Sequence, residues 1–207
     1  MGWYRRHIFP RIMDRILRRP SFQHERRLAL APAYGEVLEV GFGTGLNLPH
    51  YPPTVISLIA LDPVLALQPR VAQRLAAAPM PVICVQGTAE KMPFDNARFD
   101  CVVTTWTLCS IPDVVGALRH IQRVLKPGGS YVFLEHGRSD DPHLARWQDI
   151  YNPLHKYLAA GCHVNRPIDT LIAHSGMQIT QLDCFTMPNM LPLLSRMYRG
   201  IAQPARL

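Results

Sequence analysis

Val37-Leu-Glu-Val-Gly-Phe-Gly-Thr-Gly-Leu-Asn-Leu48 is the stretch that decides how this chain folds. Val37–Val40 reads as a short apolar strand, and Gly41, Gly43 and Gly45 follow at every second position. Glycine suits a turn of this kind for two reasons: it accepts positive φ, and it puts no Cβ between the backbone and a ligand. The spacing separates this loop from two commoner ones. A dinucleotide fingerprint asks for glycine at position 46, where this chain has Leu46, and a phosphate-cradling loop asks for Gly-Lys-Ser/Thr, which is missing. The loop is read as opening a helix and lying against a nucleoside ligand.

Outward from the loop, strand and helix alternate. The expected strands are Val37–Val40, Val55–Leu61, Pro81–Val85, Phe99–Thr104, Tyr131–Leu134, Met177–Phe185 and Arg196–Ala202. Helices are expected over about Val64–Ala77, Val114–Leu125, His143–Ala160 and Pro167–Ser175. Such alternation predicts an α/β domain with a doubly wound, mostly parallel sheet of seven strands and helices on both faces. Residues 34–207 form that domain, with a helical insertion at about 140–175, and 1–33 form an arm before it.

The arm holds Ile8, Phe9, Ile12, Met13, Ile16 and Leu17 at helical spacing. Pro20 closes that segment, and Ser21 is expected to cap a second helix towards Ala31. Eight arginines against only Asp14 and Glu25 give residues 1–30 a net +6 of the chain's +7. A charge gathered in one arm argues against a nucleic-acid surface spread over a face. Two basic amphipathic helices suit a lid over the domain or a peripheral contact with an anionic membrane.

No apolar run approaches the roughly 18 residues of a membrane span, and the N-terminus lacks the order of a secretory signal. A cytoplasmic location, with peripheral membrane contact as the alternative, is the expectation. The five cysteines contain no Cys-x-x-Cys pair and no zinc spacing, so no metal is expected and the thiols are read as small buried hydrophobes.

Glu-x-Gly-x-Gly-x-Gly with the residues around it resembles motif I of the class I, Rossmann-like S-adenosylmethionine-dependent methyltransferases, in their type 11 group. Asp62, 23 residues after Glu39, resembles the acid that receives the ribose hydroxyls. Gly87-Thr-Ala-Glu-Lys-Met-Pro-Phe94 resembles the segment beside the adenine, and Asp100-Cys-Val-Val-Thr-Thr-Trp-Thr-Leu108 the strand and loop beneath the methionine part. Leu125-Lys-Pro-Gly-Gly129 resembles a turn frequent in that family. The resemblance implies S-adenosylmethionine as cofactor. It assigns its binding to Glu39, Gly41, Phe42, Gly43, Thr44, Gly45, Asn47, Asp62, Pro63, Gly87, Thr88, Ala89, Glu90, Thr105, Trp106 and Thr107.

Ligands of open α/β sheets bind at the carboxyl ends of strands. His136 stands there as a candidate base by its natural pKa, with Glu135 beside it and His155 as a further catalytic candidate. Trp147-Gln148, Asn152-Pro153, His155, Gly161-Cys162 and Arg166 resemble an insertion in a subgroup that includes thiol S-methyltransferases. That likeness implies a small thiol or sulfide acceptor in a pocket with Cys109, Trp147, Cys162 and Arg166. The arm departs from the subgroup, being basic and amphipathic where the animal enzymes have a long apolar hairpin. A lipid or quinone methyltransferase at a membrane surface, and a non-catalytic cofactor-binding module, remain as alternatives.

Overall fold

Side chains along the inner strands point alternately to two apolar layers. Leu38 and Val40 face one layer and Val37 the other; Val102 opposes Cys101 and Val103, and Tyr131 and Phe133 oppose Val132. Apolar residues in both phases mean a sheet covered on both sides, which is why these strands read as nearly continuous hydrophobic runs. The computed structural model describes residues 8–64 and 69–205.

Its strands are β1 (Gly35–Val40), β2 (Val55–Asp62), β3 (Val82–Gln86), β4 (Phe99–Thr105), β5 (Leu125–His136), β6 (Met177–Thr186) and β7 (Arg196–Pro204). They form one sheet in the order β3-β2-β1-β4-β5-β7-β6. The first five pair in parallel, and β7 runs antiparallel to both neighbours. The helices are α1 (Phe9–Leu17), α2 (Pro20–Leu30), α3 (Pro69–Ala76), α4 (Val114–Val124), α5 (Pro142–Leu158) and α6 (Ile168–His174).

α4 shows how one layer is made. Its N-cap Asp113 accepts from the Gly116 N–H at 2.9 Å, and Ala117, Leu118, Ile121 and Val124 bury the face at i, i+1, i+4 and i+7. Fully buried side chains such as Leu118 and Ile121 each stabilise by about 1.5–3 kcal/mol. α6 joins that layer through Ile168 and Ile172, while Leu30 of α2 and Val71 of α3 pack into the opposite one.

Three expectations change. The glycine loop opens no α-helix: a single 3₁₀ turn, Leu48–His50, follows it. Pro49, Pro52 and Pro53 remove successive N–H donors, and Tyr51 before Pro52 is extended at φ −66°, ψ 132°. Ser21 caps nothing, because α2 begins at Pro20, whose fixed φ suits the first helical position, with Arg19 extended before it. Lys126-Pro-Gly-Gly129 lies within β5 as a register break, where Phe99 pairs Leu125 and Cys101 pairs Ser130. Of the helix expected over 64–77, residues 65–68 lie outside the described residues, as do Arg5 and Arg6 of the arm.

Candidate functional site

β1 pairs with β2 on one side and β4 on the other, so the chain winds away in both directions from this point. A crevice opens at the carboxyl ends of strands where the winding reverses. The glycine loop leaves β1 into that crevice. Gly41, Gly43 and Gly45 have φ of +79°, +58° and +75°. A Cβ on Gly41 would collide with Thr107, and one on Gly45 would come within 2.9 Å of the Phe42 ring. A Cβ on Gly43 would meet only the Gly41 carbonyl oxygen, at 4.0 Å. Gly43 is thus the glycine whose missing side chain leaves open space.

Asp62, ending β2, holds the loop from beside. Its Oδ2 accepts from the Gly43 N–H and its Oδ1 from the Val64 N–H, both at 2.8 Å. Burial pushes this carboxyl up, against those two bonds. Below the loop, Glu39 is fully buried and accepts from Tyr51 OH at 2.8 Å and Asn47 Nδ2 at 3.0 Å. Burial raises Glu39 to about 7. Arg26 of α2 reaches the same group: its Nη1 donates to Asn47 Oδ1, and to Thr105 Oγ1 at 2.9 Å. Its guanidinium lies 4.6 Å from the centroid of Trp106. Burial lowers Arg26 to about 10, so it remains charged at neutral pH.

At the end of β4, Trp106 adopts φ +50°, a left-handed conformation unusual for a bulky residue. Two bonds on the following backbone fix it. Thr107 and Leu108 donate their N–H groups to Glu135 Oε2 at 2.8 and 3.1 Å. Glu135 therefore anchors this loop rather than facing the open site, which corrects its place among the catalytic candidates. Burial raises its carboxyl to about 8. A carboxyl raised above its unfolded value near 4.5 stabilises the fold below that pH and loses the contribution as pH rises through about 8. Glu135→Gln, which keeps the accepting oxygen, is expected to remove that slope. Denaturant unfolding from pH 5 to 9 checks this, and equal slopes in both proteins would contradict it.

The loop, β4 and β5 open on one cavity of about 460 Å³. Gly41–Thr44 form one side, and the arm forms the roof with Phe9, Met13, Ile16, Leu17, Phe22 and Arg26. The arm is latched by its two carboxylates. Asp14, 4 % exposed, accepts from Thr44 Oγ1 at 2.8 Å and Arg74 Nη1 at 2.7 Å, with Arg18 at 3.3 Å. Burial opposes it, yet the hydrogen bonds from Arg74 and Thr44 hold Asp14 below its usual range. Glu25 meets Arg199 of β7 at 2.5 Å.

The far wall carries Cys109, Ser110, His136, His155 and Cys162. His136 Nε2 lies 3.0 Å from Cys162 Sγ. A hydrogen bond from Cys162, against the effect of burial and aided by His136, holds the Cys109 thiol well below its usual range. Cys162 is pushed up in return. Burial opposes protonation of His136, but the Cys109 sulfur beside it raises its pKa on balance. Each shift favours the charged form of its own group, through the other's charge.

Of the residues expected at the site, Glu39, Gly41, Phe42, Gly43, Thr44, Thr105, Trp106, Thr107, Cys109, His136, His155 and Cys162 line this cavity. Asp62, Pro63, Gly87, Thr88, Ala89 and Glu90 do not line it; Ala89 packs in the core. Two pocket expectations are corrected. Trp147 is 60 % exposed on the outer face of α5, because Ala145 and Gln148 take the inner one. Arg166 is buried and spends its guanidinium on the carbonyls of Leu108 and Ile111. Gln148 is likewise structural, donating to Gly137, Val164 and Leu193 carbonyls at 2.9–3.0 Å.

Sequence reasoning missed Asp14, Arg26 and Tyr51. One signal was present: Asp14 and Glu25 are the arm's two acids, and both meet body arginines. Phe22, Arg26, Ala29 and Leu30 also share one helical face, which marks Arg26 as inward.

Residues 38–133 match the family described as Methyltransferase domain. Thiol S-methyltransferase TMT1B of Rattus norvegicus is 33% identical over 135 residues, covering 63% of this chain and 54% of that protein. The chain thus spans about half the length of that relative. Ubiquinone/menaquinone biosynthesis C-methyltransferase UbiE of Hahella chejuensis is 40% identical over 68 residues, 33% of this chain and 27% of that one. Among solved structures, Burkholderia thailandensis 1,6-didemethyltoxoflavin-N1-methyltransferase, with 1,6-didemethyltoxoflavin and S-adenosylhomocysteine bound, superposes with a TM-score of 0.70. That match covers 96% of this chain and 84% of the other at 16% identity, and so speaks for the fold.

Proposed function

We propose, from the match of residues 38–133 to the Methyltransferase domain family, that the chain transfers a methyl group from S-adenosylmethionine to a small thiol. The observation that carries this reading is the single cavity that joins the glycine loop to the Cys109–His136–Cys162 wall. The volume lies within the range of small-molecule sites. Bound there, S-adenosylmethionine supplies a methyl on a positive sulfonium, ready for displacement.

The chain's own groups do the rest. The open face of Gly43 lets the cofactor lie on the backbone, and Asp62 keeps lone pairs free to accept hydroxyls beyond its two backbone donors. The arm excludes water from above. A thiol of ordinary pKa, about 8.5, must lose its proton to become the nucleophile. The Cys109–His136–Cys162 wall faces the part of the cavity where that thiol must sit. The likeness to thiol S-methyltransferase TMT1B supports the acceptor class.

Asp62→Ala removes two backbone bonds and the hydroxyl acceptor together. Cofactor binding is expected to weaken by about 1.5–3 kcal/mol, the scale of hydrogen bonds to a charged group. Isothermal titration reads it, and unchanged affinity would move the ribose elsewhere.

A second reading has its own support. Trp147, Ile150, Leu154, Tyr157 and Leu158 are 51–80 % exposed along α5. At 100° per residue they fall within an arc of roughly 100°. Such a face suits an apolar quinol or lipid acceptor held at a membrane surface, and the likeness to a quinone C-methyltransferase agrees with it. One assay separates the readings: labelled cofactor with a panel of small thiols, quinols and phosphatidylethanolamine vesicles. Transfer to a thiol without vesicles is expected. Transfer confined to vesicles would favour the second reading, and tight cofactor binding without any transfer would favour a binding module.

A further inference from the structure

We propose that Cys109, His136 and Cys162 form a three-ligand site for a zinc-class divalent cation, with its fourth position open to the cavity. One donor atom from each of the three lies within 4.8 Å of the others. Tetrahedral zinc asks for about 3.8 Å between two sulfurs and about 3.6 Å between sulfur and nitrogen, given its bond lengths. The 3.0 Å contact between His136 and Cys162 has only to open by roughly half an ångström to reach that geometry. Two thiolates and an imidazole are the donor set of zinc, and the sulfurs disfavour magnesium and calcium. Three protein ligands beside a cavity are also the arrangement of catalytic rather than structural zinc.

The backbone builds the site in advance. Cys109 sits in a 3₁₀ turn, Leu108–Ser110, after β4, and His136 ends β5. The Cys162 segment is reached through Ala160 and Gly161 at φ +55° and +100°, and the His163 N–H donates to the Cys109 carbonyl at 2.8 Å. Arg166 clasps the carbonyls on either side of that turn, at Leu108 and Ile111. Asn152 Oδ1 accepts from Val164 N–H at 3.0 Å and fixes the same segment to α5. Among the described residues His136 Nδ1 has no hydrogen-bond partner, so a ring that turns Nε2 to a metal breaks no bond there.

The charges balance. Two thiolates neutralise a divalent cation in a buried wall, where an unpaired charge would be costly. Binding releases two protons: both thiol protons, or one from the imidazolium and one from the remaining thiol. The role of the open position rests on the thiol-acceptor reading above. An entering thiol binds there as thiolate, its proton lost to solvent, with its sulfur held facing the glycine loop.

The test uses the full chain, reduced and stripped with a chelator, then titrated with Co²⁺. The expected result is one ion per chain, thiolate-to-cobalt charge transfer in the near ultraviolet, and displacement by Zn²⁺. Cys109→Ser and Cys162→Ser should each bind roughly 10-fold weaker or worse, whereas Cys84→Ser and Cys184→Ser should bind as the parent does. Should the site variants fail to fold, alkylation of the parent answers instead: Zn²⁺ should shield Cys109 and Cys162 from iodoacetamide and leave Cys184 reactive. Weak binding without thiolate charge transfer, or a Cys109–Cys162 disulfide with no metal uptake after reduction, overturns the site. Transfer to a thiol that survives complete stripping overturns the acceptor role alone, and metal binding without transfer to any thiol counts against the acceptor reading but not the site.

Discussion

Gly43→Val is expected to abolish S-adenosylmethionine binding while the chain stays folded. A left-handed φ of +58° costs an L-residue roughly 1–2 kcal/mol, more for a β-branched one. That cost is small beside a typical domain stability of about 5–15 kcal/mol, so melting should fall by only several degrees. The Cβ meets no neighbour nearer than 4.0 Å, so the strain spreads little into the loop. Both methyls then occupy the face on which the cofactor is to lie. An affinity loss of roughly 100-fold or more, about 2.7 kcal/mol, is the expected reading by calorimetry. Gly43→Ala should fall between. Gly41→Ala should behave differently, lowering melting and binding together, because its Cβ runs into Thr107. Parental affinity in Gly43→Val would remove the cofactor from this loop.

Asp14→Ala is expected to unlatch the arm. The mutation leaves Arg74, 18 % exposed, without its carboxylate and frees Thr44 at the edge of the glycine loop. Removing one member of a buried pair costs about 3–5 kcal/mol; with Arg18 and Arg70 half in water, about 2–4 kcal/mol is the scale here. Because cleavage of an opened segment follows its equilibrium population, trypsin should cut after Arg15 and Arg18 roughly 30- to 1000-fold faster. The body should keep its own melting transition. Asp14 is held below its usual value of 3.8, so the latch contributes above that pH and fails as pH falls through its lowered value. Unchanged cleavage would mean that apolar packing of Phe22 and Leu17 alone holds the roof.

The central strands were legible because both faces are buried and their apolar runs end on glycine, Asp62 or Trp106. The turn after the glycine loop was not: the expectation of a helix came from the loop, while Pro49, Pro52 and Pro53 downstream decided against it. Arg26 was hidden by its company. Among eight arginines it differs from exposed Arg27 only in helical phase, and composition counts both alike. Trp147 and Arg166 came from likeness to an insertion, which is preserved for folding as readily as for contact with a ligand. Cys109, His136 and Cys162 have no shared local spacing because three separate elements deliver them. Such a constellation exists only after β4, β5 and α5 are packed.

Glu25 and Arg199 are separated by 174 positions, yet they close the same roof. The arm leaves the ribosome before the sheet does; Asp14 can find Thr44 and Arg74 early, but the Glu25 latch closes only when β7, the last strand of the sheet, has joined. Until then the roof is held at one latch, and Phe22 lacks the Met187 and Met197 side chains it packs with. Chain order therefore divides the roof into an end that can close early and an end that must wait for the last strand. In the finished protein, the roof over the glycine loop is pinned at both ends, by residues far apart in the chain.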